Sequence, residues 1–191
     1  MMDSMQFPET EKAHATAMAV LTVHTFPDPV LRRKTQPVTE FTPALKKLAD
    51  NMLETMYAEG GIGLAAIQVG QLIQLVVTDL LHGSEEPGQP ARRDPRAWVN
   101  PRILEAEGAI VTEEGCLSVG EFRAEVKRAR KIRIAYQTLA GETREEVLED
   151  VAAVCLQHEL DHLNGKLFID HLPPVKRELI KKKLIKLQRT A

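Results

Sequence analysis

Residues 150–165, DVAAVCLQHELDHLNG, decide how the chain is read. Asp150 is a residue type that caps helix N-termini, and Asn164-Gly165 is a pair that ends helices. Between them Val151, Val154, Cys155 and His158 recur on one helical face. The stretch therefore predicts a helix of about four turns. On it His158 and His162 are four residues apart, ~6 Å of rise, so their imidazoles can converge on one cation. Glu159 stands ~100° around the helix from His158. From beside such a cation its carboxylate can take a proton from an attacking water and return it to a leaving nitrogen. A plain amphipathic helix with two surface histidines fits less well, because these histidines sit between an apolar face and a glycine stop.

Two imidazoles hold an ion weakly, so a third protein ligand is expected, with a further position left for water. The chain has two cysteines. Cys155 shares the histidine face but lies ~10 Å along the axis from His162, and it reads better as a small buried apolar residue. Cys116 lies in Glu113-Glu114-Gly115-Cys116-Leu117-Ser118, where glycine frees the backbone and a distant element could carry the thiolate to the helix. From spacing alone, Cys116 reads equally as a ligand or as an inert core cysteine. A thiolate ligand would leave the site net positive and would suit iron, zinc, cobalt or nickel better than magnesium.

Outward from this helix, Thr42-Pro43 predicts a helix start, and Leu45, Leu48, Met52 and Met56 repeat with helical spacing up to Gly60-Gly61. Strands are expected at 72–78, 97–104 and 131–137, with an exposed loop over 82–96 rich in glycine and proline. After Pro173-Pro174, a last helix is expected to put Val175, Leu179, Ile180, Leu184 and Leu187 on one side. This order, without regular βαβ alternation, indicates an α+β fold. At 191 residues, 43% apolar and 27% charged, one folded domain is expected. Residues 1–18 are polar and predict a flexible extension, followed by a catalytic unit over 19–172 and a basic amphipathic helix over 173–191 on the same domain. The N-terminal stretch lacks the basic start and apolar run of an export signal, and no window reaches the ~18 apolar residues of a membrane span, so a cytoplasmic protein is expected. A net charge of -2 gives no global attraction to nucleic acid.

Three segments taken together, Gly61-Ile62-Gly63-Leu64-Ala65-Ala66-Ile67-Gln68, Glu114-Gly115-Cys116-Leu117-Ser118 and Gln157-His158-Glu159-Leu160-Asp161-His162, resemble the signature segments of peptide deformylases. The resemblance extends over roughly residues 20–187, in family order. It implies mostly antiparallel sheets packed around a central metal-binding helix, with a C-terminal helix. It also implies removal of the formyl group from the N-terminal methionine of new polypeptides, releasing formate. Cys116, His158 and His162 would then bind one divalent ion, ferrous iron in the cell, with Zn2+, Ni2+ or Co2+ as substitutes in purified protein. Glu159 would be the general acid and base, and Gln68 with the Leu117 N–H would hold the oxygen that becomes negative. Ile62, Gly63, Val151, Val154 and Cys155 would meet the substrate, and Arg128 and Asp161 would form a supporting ion pair. Two departures from the family pattern stand near the groove. Gly120 follows Val119 where proline is common, and Thr112 replaces an aliphatic residue.

Lys176, Arg177, Lys181, Lys182, Lys183, Lys186 and Arg189 make the last helix basic. By the same resemblance this helix would touch the ribosome, without membrane contact or sequence-specific nucleic-acid recognition; a surface helix capping the core is the simpler alternative. Two rival functions remain open on sequence. A zinc endopeptidase shares the His-Glu-x-x-His pattern, and a non-enzymatic ribosome-binding protein would keep the ion as a structural staple.

Overall fold

The computed structural model describes residues 19–83 and 92–188. The expected extension over 1–18, most of the 82–96 loop and Arg189 lie outside them. In chain order, helix α1 (Pro43–Ala58) leads into strands β1 (Gly63–Ala65), β2 (Leu75–Thr78), β3 (Arg96–Glu107), β4 (Ile110–Cys116), β5 (Gly120–Arg128), β6 (Lys131–Gln137) and β7 (Thr143–Glu149). Helices α2 (Asp150–Leu163) and α3 (Pro174–Gln188) follow. Five strands form one sheet in the order β1-β2-β3-β6-β7, and β4 and β5 form a separate hairpin. Every strand pair is antiparallel, so the α+β reading holds.

The two sheet faces are covered by different helices, and strand alternation sorts the side chains between them. Ala49, Met52 and Met56 of α1 pack on Leu64, Leu75 and Val77. On the other face Ala153, Leu156 and Leu163 of α2 pack on Ala65, Val76, Trp98, Ile132 and Ile134. Strand β2 is therefore buried throughout, which accounts for its unbroken apolar sequence. A third cluster joins Val119, Ala124 and Val126 around the hairpin to Phe168, Ile169, Ile180 and Leu184. Helix α2 thus runs between the sheet and the hairpin.

The start of α1 follows its sequence signals: Pro43 takes the first turn and Thr42 Oγ1 accepts from the Leu45 amide at 3.4 Å. Other expectations need correction. The strand expected over 72–78 begins only at Leu75. The segments β4, β5 and β7 were not expected as strands, because charged residues interrupt them and the exposed Val111 and Val147 blur the apolar alternation. Asp150 does not cap α2. Glu149 occupies the cap position, and Asp150 has φ +50° with its carboxylate accepting from Arg130 Nε at 2.7 Å. On α3 only Ile180 and Leu184 are buried, while Val175, Leu179 and Leu187 are more than half exposed. The five apolar residues span too wide an arc for a helix that docks by one edge.

Residues 24–36 run as a strap across elements distant in sequence. The His24 amide donates to the Gln68 carbonyl (2.7 Å), the Phe26 amide to Ser118 (2.8 Å) and the Thr35 amide to Leu163 (3.0 Å). The strap also passes against the end of α2. Gly165 has φ +70°, and a Cβ there would lie 2.6 Å from the Arg32 carbonyl oxygen. Gly165→Ala therefore combines left-handed strain with a backbone clash, worth about 2 kcal/mol or more. A thermal melt should fall by roughly 5 °C or more; an unchanged melting temperature would contradict the tight packing of strap on helix.

Candidate metal centre

Helix α2 and the end of β4 bring together what the sequence left apart. His162 Nε2 lies 3.2 Å from His158 Nε2 and 3.3 Å from Cys116 Sγ. All three ligand atoms fall within 4.8 Å of one another, and no other such group of three occurs among the described residues. Ligand atoms on the corners of a tetrahedron with bonds of ~2.0–2.3 Å stand ~3.3–3.6 Å apart. The two His162 spacings, 3.2 and 3.3 Å, lie close to that edge. Cys155 is not part of the group: its Sγ lies 3.9 Å from the Ile62 carbonyl oxygen, and burial pushes its thiol up.

The surroundings prepare the imidazoles for a cation. Glu114 Oε2 accepts from His158 Nδ1 at 2.8 Å, so Nε2 is the ring nitrogen turned toward His162 and Cys116. Burial alone would raise the Glu114 carboxyl, but hydrogen bonds from Arg128 and His158 outweigh it and hold the group at about 2. Arg128 grips Glu114 with two bonds, 2.7 and 2.9 Å, and reaches Asp161 with a third at 2.5 Å. Asp161 also meets His171 Nε2 at 2.7 Å. Burial drives the His162 imidazole well below its ordinary value, with the positive charges of His158 and Arg128 adding to the effect. For His158, burial also disfavours the cation, yet the contacts with Cys116 and Glu114 turn the net shift upward. Phe168 stacks on the His158 ring at 6.2 Å between centroids.

Glu159 is 4% exposed, and its Oε2 has no partner among the described residues. Burial, aided by the charges of Glu114 and Asp161, raises its carboxyl to about 7 against the pull of His158 and Arg128. A buried carboxyl oxygen without a partner, next to three converging donors, is what a site built for an ion and a water would contain. Gln68 lies opposite at 2% exposure. Its Oε1 accepts from the Ala65 amide at 2.8 Å, and its Nε2 donates to Ser118 Oγ at 3.1 Å with Cys116 Sγ 3.7 Å away. Leu117 begins the helical turn that follows Cys116.

These groups open into a cleft of about 670 Å³ whose wall includes Ile62, Gly63, Val151, Val154, Cys155 and Leu117. His162 lies behind it, 1% exposed. Gly63 is required by proximity, since a Cβ there would stand 2.6 Å from Glu159 Oε1 and 3.0 Å from Cys155 Sγ. Thr112 and Gly120 also line the cleft, and Gly120 adopts φ +67°, which a proline cannot take. A larger groove of about 870 Å³ opens where Arg128, Asp161 and His171 emerge, but Cys116, His158 and His162 do not line it.

With the geometry in view, residues 20–178 match the family model for polypeptide deformylase. The chain belongs to that family. It is 49% identical to a peptide deformylase of Desulfotalea psychrophila over 88% of this chain and 97% of the relative. Identity is 45% with one from Novosphingobium aromaticivorans, over 91% and 100% of the two chains. Among solved structures, a peptide deformylase from Legionella pneumophila superposes with a TM-score of 0.80 at 38% identity, covering 90% and 97% of the two chains. The Ehrlichia chaffeensis peptide deformylase in complex with actinonin reaches 0.82 at 34% identity, over 90% and 99%. The family is metal-dependent, and the Cys116, His158 and His162 group is where this member can hold the ion.

Sequence reasoning gave no role to Glu114, Ser118 or His171. For Glu114 a signal existed: it lies two residues before Cys116 on a strand, the spacing that puts side chains on one face. Replacing it by glutamine leaves Asp161 as the one carboxylate bonded to Arg128 and weakens the hold on His158. Glu114→Gln should lower metal affinity by roughly 10- to 100-fold in a chelator competition, with the fold intact. Its depressed carboxyl has a further signature. In the metal-free wild type the stabilisation is fully present above about 4.5 and is lost as pH falls toward about 2. Acid unfolding should therefore be shallower over that window in the variant.

Proposed function

We propose that this protein deformylates N-formylmethionyl nascent polypeptides at the cleft between β1, β4 and α2, with one ion held by Cys116, His158 and His162. The observation that carries the reading is the buried, unpartnered carboxyl oxygen of Glu159, a residue that lines the same cleft as Cys116 and His158. Ferrous iron is the proposed ion in the cell, and Zn2+, Ni2+ or Co2+ would fill the same donor set. When bound, the ion supplies Lewis acidity, easing loss of a proton from water near neutral pH and offsetting charge on the formyl oxygen.

The chain's own groups do the rest. Glu159 takes the proton from water as its oxygen adds to the formyl carbon, then delivers it to the methionine nitrogen as the C–N bond breaks and formate leaves. A carboxyl raised by burial is a stronger base than one in water, and the ion's charge moderates that rise. Gln68 Nε2, fixed by Ser118, and the Leu117 N–H hold the oxygen that gains negative charge. The Gly63 backbone pairs with the extended substrate chain, and Ile62, Val151, Val154 and Cys155 receive the methionine side chain. Arg128 and Asp161 keep Glu114, and through it His158, in place. Residues 19–172 would be the catalytic unit, with the last helix packed on it.

An endopeptidase reading is disfavoured because the third ligand is a cysteine, where those enzymes usually use histidine or glutamate. Rapid formate release with casein left uncleaved separates the two. A structural staple would have four protein ligands, whereas this group has three and faces a cleft. Glu159→Gln should retain its metal in elemental analysis while formate release from a formyl-methionyl peptide drops by about 10²- to 10⁴-fold. Undiminished turnover would contradict the assigned role.

We also place the protein in the cytoplasm, working beside the ribosome. Among the described residues no helix is long and apolar enough to cross a membrane. Lys176, Lys182, Lys183 and Lys186 of α3 are exposed while Ile180 and Leu184 anchor it, so the charges can meet a phosphate backbone over a Debye length of about 10 Å. Reversing Lys176, Lys182 and Lys183 to glutamate should abolish cosedimentation with ribosomes and leave hydrolysis of a short formyl peptide intact. Unchanged cosedimentation would retire the ribosome contact.

A further inference from the structure

Thr112 lines the same cleft as Val151, Val154 and Cys155. Its Oγ1 is nevertheless shut off from solvent and has no hydrogen-bond partner among the described residues. Strand β4 puts the residue there. Thr112 and Glu114 alternate with the exposed Val111 and Glu113, and across the hairpin Thr112 faces the buried Val126.

A buried hydroxyl without a partner weakens a fold, and valine would fill the same shape without that cost. Such a group asks for a use. Ile62, Val151 and Val154 of the same cleft are apolar, and the Cys155 thiol, kept protonated by burial, lies against the Ile62 carbonyl oxygen. A methionine side chain entering this wall carries one weak acceptor, its thioether sulfur. Rotation of χ1 from one staggered well to another exchanges Oγ1 with the similarly sized Cγ2, so the hydroxyl can turn toward the cleft with little disturbance of the wall.

We propose that Thr112 is a specificity-determining residue whose O–H donates to the thioether sulfur of the substrate methionine, favouring it over a side chain of the same shape without sulfur. This rests on the deformylase reading and adds a substrate contact to it. The experiment compares kcat/KM of the metal-loaded enzyme on two peptides that differ only in formyl-methionine or formyl-norleucine at the first position. In Thr112→Val the methionine-to-norleucine ratio should fall by roughly three- to tenfold, the size of one weak hydrogen bond. Thr112→Ala, a second hydroxyl-free variant, should lower it similarly, and Thr112→Ser should keep the wild-type ratio. A ratio unchanged in either hydroxyl-free variant, or lowered as far in Thr112→Ser, overturns the proposal. Failure of the wild type to release formate from either peptide would instead overturn the deformylase reading.

Discussion

The guanidinium of Arg128 is the interaction on which the site depends. It is 6% exposed, and three of its hydrogen bonds end on the carboxylates of Glu114 and Asp161. Those partners belong to three different elements: Arg128 to β5, Glu114 to β4 and Asp161 to α2. Burying a guanidinium is costly, and removing one partner of such a pair typically costs about 3–5 kcal/mol. The cluster therefore tolerates few arrangements. Its most direct product is the orientation of His158, whose ring is held by Glu114 on one side and Phe168 on another.

Around that cluster the electrostatics separate groups of the same chemical type. Glu114 and Glu159 are both buried carboxyls close to α2's histidines, yet one is held at about 2 and the other is raised to about 7. The difference lies in their neighbours. Glu114 receives a guanidinium fork and an imidazole N–H, whereas Glu159 Oε2 receives no hydrogen bond from the described residues. One carboxylate is committed to structure and the other is left able to exchange a proton. The imidazoles diverge similarly, because His158 has a carboxylate behind it and the His162 Nδ1 has no partner among the described residues.

Much of this was legible because helical spacing is a local code. His158, Glu159 and His162 follow from 3.6 residues per turn, as does the face shared by Val154 and Cys155. The start of α1 was readable from Thr42-Pro43 for the same reason. What stayed hidden depends on contacts between distant segments. Strands β4, β5 and β7 are interrupted by Glu, Lys and Arg, and the exposed Val111 and Val147 blur their period of two. Whether Cys116 was a ligand could not be decided from its spacing, since β4 must first be delivered to α2 by the hairpin. Asp150 had the chemistry of a helix cap, but Arg130 claimed its carboxylate. The apolar residues of α3 fit a helix without revealing that only Ile180 and Leu184 would find the core.

The strap over residues 24–36 bears on when activity can begin. It ties the Gln68 and Ser118 carbonyls from one end of the chain, while His158, His162 and the stacked Phe168 arrive near the other. No stretch shorter than residues 24–168 holds the whole arrangement. A copy still under synthesis has its earliest segment in hand long before His162 and Phe168 emerge, and the arrangement is incomplete until then. A molecule can serve nascent chains only once its own chain has been made at least through Phe168.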